Sequence, residues 1–253
     1  MRDAYTSAIS ENGRASENDV DVSGARTLGP ARIRARRLEL VDGTRNERAP
    51  VARVLKRAVD IAGSILLIAL LLPVAILIMV AIVVDSPGPV MFVQRRVGRN
   101  GRMFSLMKFR TMVPDSDTAL AQALASDDAL DTEWRKSRKL RRDPRITRVG
   151  HLLRRLSADE LPQILNVLVG NMSLVGPRPV IEDELRYFGK RADDVLSVRP
   201  GLTGLWAVSG RSDVSYDERV ELEHRYATGW TVVGDFVILL RTIPAVMRGH
   251  GAY

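Results

Sequence analysis

Two adjacent carboxylates, Asp159 and Glu160, lie in the segment Ser157-Ala-Asp-Glu-Leu-Pro-Gln163, between two stretches with helical apolar spacing. Ser157 and Glu160 have capping-box spacing, while Asp159 is itself a good N-cap with Pro162 in the first turn. Both registers place the dyad at a helix start, where unpaired N–H groups and the positive end of the helix dipole gather. Such a site binds anions and favours an ionised aspartate. Near phosphate, that aspartate has two uses: it can hold Mg²⁺ together with substrate phosphates, or attack phosphorus to give an acyl phosphate. An acidic first turn alone is commonplace; the neighbouring cations give this one weight. In Asn171-Met-Ser-Leu-Val-Gly-Pro-Arg-Pro179 two prolines stiffen the chain around Arg178, and a fixed guanidinium suits pyrophosphate. Arg154 and Arg155 precede the dyad by about one helical turn. Lys108 and Arg110 alternate on one face of a strand, with Met107 and Phe109 on the other. Carboxylates ringed by Lys108, Arg110, Arg154 and Arg178 make a coherent phosphoryl-transfer site.

The elements that must position these groups follow from pattern. Val90–Val97 and Arg102–Met112 flank Gly98-Arg-Asn-Gly101, whose Asn-Gly pair predicts a β-hairpin. Residues 114–143 are polar and read as a helix with loose joins. Ile146, Val149, Leu153 and Leu156 recur at helical spacing; a second helix carries Leu161, Ile164, Leu165 and Leu168 on one face and stops at Gly170. Upstream, 24 residues from Ile61 to Val84 contain no charge. As a straight helix they would measure about 36 Å, enough to cross a hydrocarbon core of about 30 Å. Pro73 at the midpoint forfeits a backbone hydrogen bond. Basic residues flank both ends, with Arg53, Lys56 and Arg57 before and Arg95, Arg96, Arg99 and Arg102 after, whereas a spanning helix carries its excess on the cytoplasmic side. Two half-helices turning back at Pro73 fit better than a kinked crossing. The expected organisation is a disordered polar arm over 1–50, whose Ala31–Leu40 is basic, a membrane helix-turn-helix over 51–88 bent at Pro73, and a catalytic domain over 89–253.

Composition narrows the partners. The net charge is +8, and 33 of the 38 basic residues are arginine, the side chain that grips phosphate oxygens in pairs. The absence of cysteine excludes disulfides, thiolate metal sites and Cys nucleophiles. Asp115-Ser-Asp117 matches the metal motif of another class of nucleotide-sugar enzyme, but lies in a polar stretch. No dinucleotide fingerprint, Walker A sequence or nucleic-acid-binding signature is present, so nucleic acid is not an expected partner. His151, His224 and His250 lack metal-ligand spacing, and Trp206 and Trp230 suit either a membrane interface or a core.

The segments SPGPVMFVQRRVGRNGRMFSLMKFRTM, DPRITRVGHLLRRLSADELPQILNVLVGNMSLVGPRP and RPGLTGLWAVSGR resemble the monotopic phosphoglycosyl transferases, the bacterial sugar transferase family, over about residues 52–253; the closing RGHGAY looks like the exopolysaccharide branch. The resemblance implies an α+β, mainly helical cytoplasmic domain with a re-entrant helix in the inner leaflet of a bacterial inner membrane. It implies that the Asp of the dyad attacks the β-phosphate of a UDP-sugar, releasing UMP, and that undecaprenyl phosphate then takes the sugar-phosphate, with glucose or galactose as the sugar. Asp159 would be the nucleophile and Glu160 its metal partner or base, with Mg²⁺ as cofactor; Lys108, Arg110, Arg154 and Arg178 would stabilise phosphates. Arg199, in Arg199-Pro-Gly201, would lie near the substrate cleft, and Asp235 at a position of site importance or as a helix cap. Membrane lipids and downstream glycosyltransferases are the implied neighbours. The sequence departs from the family pattern at Leu72-Pro73, Ala158 and Ala207, and a four-helix N-terminal extension is not seen.

Overall fold

The computed structural model describes residues 50–137, 140, 142–210 and 214–247. The readings made for the arm before Pro50, the basic stretch at 31–40, His250 and RGHGAY lie outside the described residues. The described residues are mainly helical with two small sheets. They open with α1 (Pro50–Asp85), followed by the strands β1 (Met91–Val97) and β2 (Met103–Phe109). Helices α2 (Ser116–Ser126), α3 (Asp128–Ser137), α4 (Arg148–Leu156) and α5 (Gln163–Val169) come next. The remainder is β3 (Ser173–Val175), α6 (Ala192–Leu196), β4 (Gly201–Thr203), α7 (Leu205–Ser209), α8 (Tyr216–Gly229) and α9 (Val232–Met247).

The two half-helices expected around Pro73 are one element: α1 runs through Pro73 with no turn interrupting it. Proline removes one N–H and crowds the carbonyl four residues back, but the unbroken apolar helix formers on either side propagate the ladder past it. The helix is long and apolar enough to cross a membrane by length and composition. One face lies on the rest of the protein along most of its length. Ala52 and Leu67 pack on the central core, Asp60 and Ser64 are buried, and Ala75, Ile78, Met79 and Ile82 pack with Phe109 and Leu153. These positions recur at about 3.6-residue spacing. Its other face leaves Ile65, Leu66, Leu70, Leu77, Val80 and Val84 exposed, a continuous apolar surface of the kind that marks contact with lipid or a partner.

The expected hairpin forms, with Met91 opposite Phe109 and Val97 opposite Met103. Its turn places Asn100 at φ 56° and Gly101 at φ 75°, which explains the Asn-Gly pair. The second sheet, β3 parallel to β4, was not legible in the sequence. The central core joins Phe104, Leu106, Val167, Met172, Val175, Leu205, Tyr226 and Ile238 from every part of the domain. Two glycine positions allow close crossings that bear on the site. A Cβ on Gly150 would overlap the carbonyl of Thr111, so α4 lies directly against the exit of β2; one on Gly204 would overlap the carbonyl of Gly176, so the loop before Arg178 crosses the start of α7.

Candidate active site

The dyad does not cap a helix in either expected register. Ser157 adopts a left-handed conformation (φ 55°), and Ala158–Glu160 form a single 3₁₀ turn ahead of α5, whose N-cap is Pro162. The left-handed residue redirects the chain between two helices, which apolar spacing alone does not reveal. The turn faces the end of β2. Lys108 Nζ donates to Glu160 Oε1 at 2.8 Å and to Asp159 Oδ2 at 3.4 Å, so one ammonium bridges both carboxylates. Burial pushes the Asp159 carboxyl above its ordinary range; Lys108 pulls it back, the Glu160 charge raises it again, and Arg154 lowers it. The expectation that a helix start holds this group ionised is therefore corrected: desolvation opposes ionisation here, and the cations offset it.

Arg154, on α4, donates from Nε to Thr111 Oγ1 at 2.9 Å. The helix that carries it is fixed at its start by Thr147, whose hydroxyl accepts from Gly150 N at 2.9 Å, and by Asp85 at the end of α1, whose carboxylate accepts from Val149 N at 2.9 Å. Arg110 lies just past the last residue of β2; it is buried, and Nη2 donates to the carbonyl of Ser86 while Nε and Nη1 have no hydrogen-bond partner among the described residues. Arg178 is held by its backbone, with its N–H donating to both carboxylate oxygens of Glu223 at 3.0 Å, and its guanidinium lies 5.1 Å from the Trp206 ring centroid.

Asp159, Glu160, Lys108, Arg110, Arg154 and Arg178 all line one cavity of about 1070 Å³. Arg199 and Asp235 do not line it. Arg199 donates from Nε to the carbonyl of Gly170, at the end of α5. Asp235 is buried in an ion pair with Lys56 and accepts from Tyr226 at 2.7 Å; the helix cap expected there is Thr231, whose hydroxyl accepts from Gly234 N. Asp115 and Asp117 are exposed at the start of α2, and Trp230 is buried in the core. Sequence reasoning passed over Arg96, which also lines the cavity with its guanidinium on Gln94 Oε1 at 2.7 Å, and over Arg219, 5.5 Å from the Trp206 ring. The signal for Arg96 was its place in the hairpin motif; for Arg219 and Glu223, four residues apart on α8, there was none.

Glu223 is almost fully buried, and desolvation raises its carboxyl from 4.5 to about 7. A carboxyl raised on folding takes up protons in the native state, so stability declines as pH rises from about 4.5 to about 7, by an order of 3 kcal/mol. Glu223→Gln keeps an acceptor for Arg178 N–H and cannot ionise. Its thermal midpoint is expected to match the parent at pH 5 and exceed it by several degrees at pH 8; a lower midpoint at pH 8 overturns this account.

With the geometry in hand, comparison with known proteins gives the class. Residues 51–249 match the model of the bacterial sugar transferase family. The exopolysaccharide production protein ExoY of Sinorhizobium fredii is 46% identical over 204 residues, covering 81% of this chain and 90% of that protein. The undecaprenyl-phosphate galactose phosphotransferase of Salmonella typhimurium is 46% identical over 202 residues, which are 80% of this chain but 42% of that protein. The UDP-glucose:undecaprenyl-phosphate glucose-1-phosphate transferase of Caulobacter vibrioides is 39% identical over 207 residues, 78% of this chain and 72% of that protein. The chain belongs to the bacterial sugar transferase family and is a phosphoglycosyl transferase.

Proposed function

We propose that this protein transfers glucose-1-phosphate or galactose-1-phosphate from a UDP-sugar to undecaprenyl phosphate through a covalent intermediate on Asp159, at the cytoplasmic face of a bacterial inner membrane, as the first membrane step of exopolysaccharide synthesis. The observation that carries this reading is the Lys108-bridged dyad inside an arginine-lined cavity. The activities for which the Salmonella and Caulobacter relatives are named supply the substrate classes. In the first step an Asp159 carboxylate oxygen attacks the β-phosphorus, the bond to the bridging oxygen breaks, and UMP leaves with that electron pair. In the second, a phosphate oxygen of the lipid attacks the same phosphorus, the acyl phosphate bond breaks, and the carboxylate returns as the sugar-diphospho-lipid departs. Lys108, Arg154 and Arg178 oppose the charge that gathers on phosphate oxygens, and the stacked Trp206 and the Glu223 contact hold Arg178 ready before substrate arrives. Incubation with β-³²P UDP-sugar is expected to leave labelled protein, and a panel of UDP-sugars scored by UMP release identifies the sugar; no label with any donor that supports turnover removes the covalent route.

Magnesium suits this donor set. Among the described residues no cluster of three or more His, Cys, Asp or Glu is assembled to hold a metal, as a dedicated protein cage would need. Magnesium instead is ordinarily held by one or two carboxylates with substrate phosphates and water, and Asp159 and Glu160 offer those carboxylates. When bound it would neutralise pyrophosphate charge. Activity is expected to vanish in EDTA and return with added Mg²⁺; full turnover in chelator defeats this assignment.

For the membrane, we infer that α1, although continuous through Pro73, is seated re-entrantly, with both of its ends on one face of the bilayer. The support is that both its ends engage the same domain, Lys56 and Asp60 near one end and Ile82 and Asp85 near the other, which leaves no end free on the far side. Because the chain has no cysteine, single cysteines at positions 3 and 100 give a clean readout. Both are expected to resist a periplasmic thiol reagent in intact cells, and labelling of either one converts the placement to a crossing.

A further inference from the structure

The cavity that holds the dyad is lined by apolar side chains as well as by its arginines and carboxylates. Leu67 and Leu71 of α1 and Leu239 and Ile243 of α9 share it with the arginines. Leu67 and Leu71 lie six and two residues before Pro73, near the middle of α1 and far from both of its ends. Ile243 both lines the cavity and is 60% exposed, so the cavity reaches the surface beside α9. Around that opening the exposed side chains are again apolar: Phe236 and Leu240 on α9, Leu66 and Leu70 on α1. Water-filled apolar walls that lead from a phosphate site to an apolar surface are costly to leave wet. An occupant that satisfies both linings carries a phosphate at one end and a hydrocarbon chain behind it.

We propose that the isoprenoid chain of the acceptor runs along the wall formed by Leu67, Leu71, Leu239 and Ile243 and leaves the cavity between α1 and α9 into the bilayer. This rests on the transfer reading above, and it goes beyond it by choosing between two openings. The other opening lies beside β1 and α4, where Met91, Phe92 and Leu156 also line the cavity and are exposed. The α1–α9 wall is favoured because two of its four leucine and isoleucine side chains belong to the membrane helix itself, so a chain there never leaves an apolar environment.

The test uses the full-length protein in nanodiscs with an undecaprenyl phosphate analogue bearing a diazirine on an isoprene unit near the phosphate. Photolysis is expected to label peptides containing 67–71 and 239–243, and excess unmodified undecaprenyl phosphate is expected to remove that label. Competable label on peptides containing Met91, Phe92 or Leu156 overturns the proposal in favour of the second opening. In parallel, Leu71→Trp and Ile243→Trp narrow the wall; discharge of the preformed, labelled intermediate is expected to need about tenfold more undecaprenyl phosphate, while the KM for UDP-sugar shifts less than twofold. Discharge at the parental lipid concentration in both variants overturns it. A parent protein that never forms a labelled intermediate counts against the covalent route alone, because the photolabel still reads where the chain lies.

Discussion

Asp159→Asn is expected to lose turnover by at least about 10⁴-fold and to lose the ³²P label entirely, the scale seen when a covalent nucleophile is removed. The substitution keeps shape and leaves an oxygen toward Lys108 Nζ, 3.4 Å away in the parent, so folding should survive and the thermal midpoint should move little. What disappears is the proposed nucleophile, since an amide oxygen cannot form a stable acyl phosphate. Asp159→Glu separates presence from placement: a carboxylate remains, but one methylene displaces it, and displacement by about 1 Å costs on the order of 10²-fold. It should still label, slowly. The parent's pH profile carries the same logic. Because burial raises the Asp159 carboxyl and the ionised form attacks, activity should fall with decreasing pH through a value above the ordinary carboxylate range. Lys108→Met removes the strongest opposing influence and should move that acid limb to still higher pH. Asp159→Asn that turns over at the parental rate leaves the dyad with no nucleophilic role.

Much of this arrangement was legible because its signals are local. The Asn-Gly turn fixed the hairpin, Gly170 ended α5 in a left-handed conformation as expected, and 24 uncharged residues marked α1. The features that were not legible depend on long-range contact or on single backbone torsions. β3 and β4 are three residues each, too short for a period, and exist because Ser173 and Gly201 meet across the core. The left-handed Ser157 moved the dyad off the helix start. Helical spacing placed Leu156 and Leu165 on apolar faces, yet both are exposed; α5 buries Ile164 as expected, but with Gln163, Asn166 and Val167 beside it. Asn166 explains the rotation: its Nδ2 donates to the carbonyl of Ser105 and its Oδ1 accepts from Met107 N, tying α5 to the face of β2 behind Lys108. A polar residue that satisfies a strand's backbone outweighs an apolar one that a membrane surface can cover. Lys108 and Arg110 were expected together, and they do line one cavity, but β2 ends at Phe109 and Arg110 turns to the Ser86 carbonyl.

The Lys56–Asp235 pair, 179 residues apart, was beyond any sequence pattern, and it carries the second large effect. Lys56 Nζ also donates to the carbonyl of Val175 at 2.9 Å and to the Tyr226 hydroxyl at 3.2 Å, and lies 5.4 Å from the Trp230 ring centroid. One ammonium thus joins α1 to β3, α8 and α9 in a nearly dry site. Removing one partner leaves a buried charge uncompensated, so Asp235→Ala should cost about 3–5 kcal/mol. At roughly 2–4 °C per kcal/mol for a domain of this size, the thermal midpoint should fall by about 6–20 °C. Lys56→Met combined with Asp235→Leu should recover most of that loss, because an apolar pair in place of an ion pair leaves no charge to desolvate. A drop of under 2 °C for Asp235→Ala would mean that the pair does not fasten α1. The folded fraction of the variant separates anchorage from a part in the chemistry for Asp235. If it anchors the membrane helix, ³²P labelling per folded molecule stays near the parent's, whereas lost labelling with an unmoved midpoint would put this carboxylate in the chemistry. Anchorage is the expected result, since the network reaches α1 from three directions and its carboxylate faces Lys56 and Tyr226, not the cavity that holds the dyad.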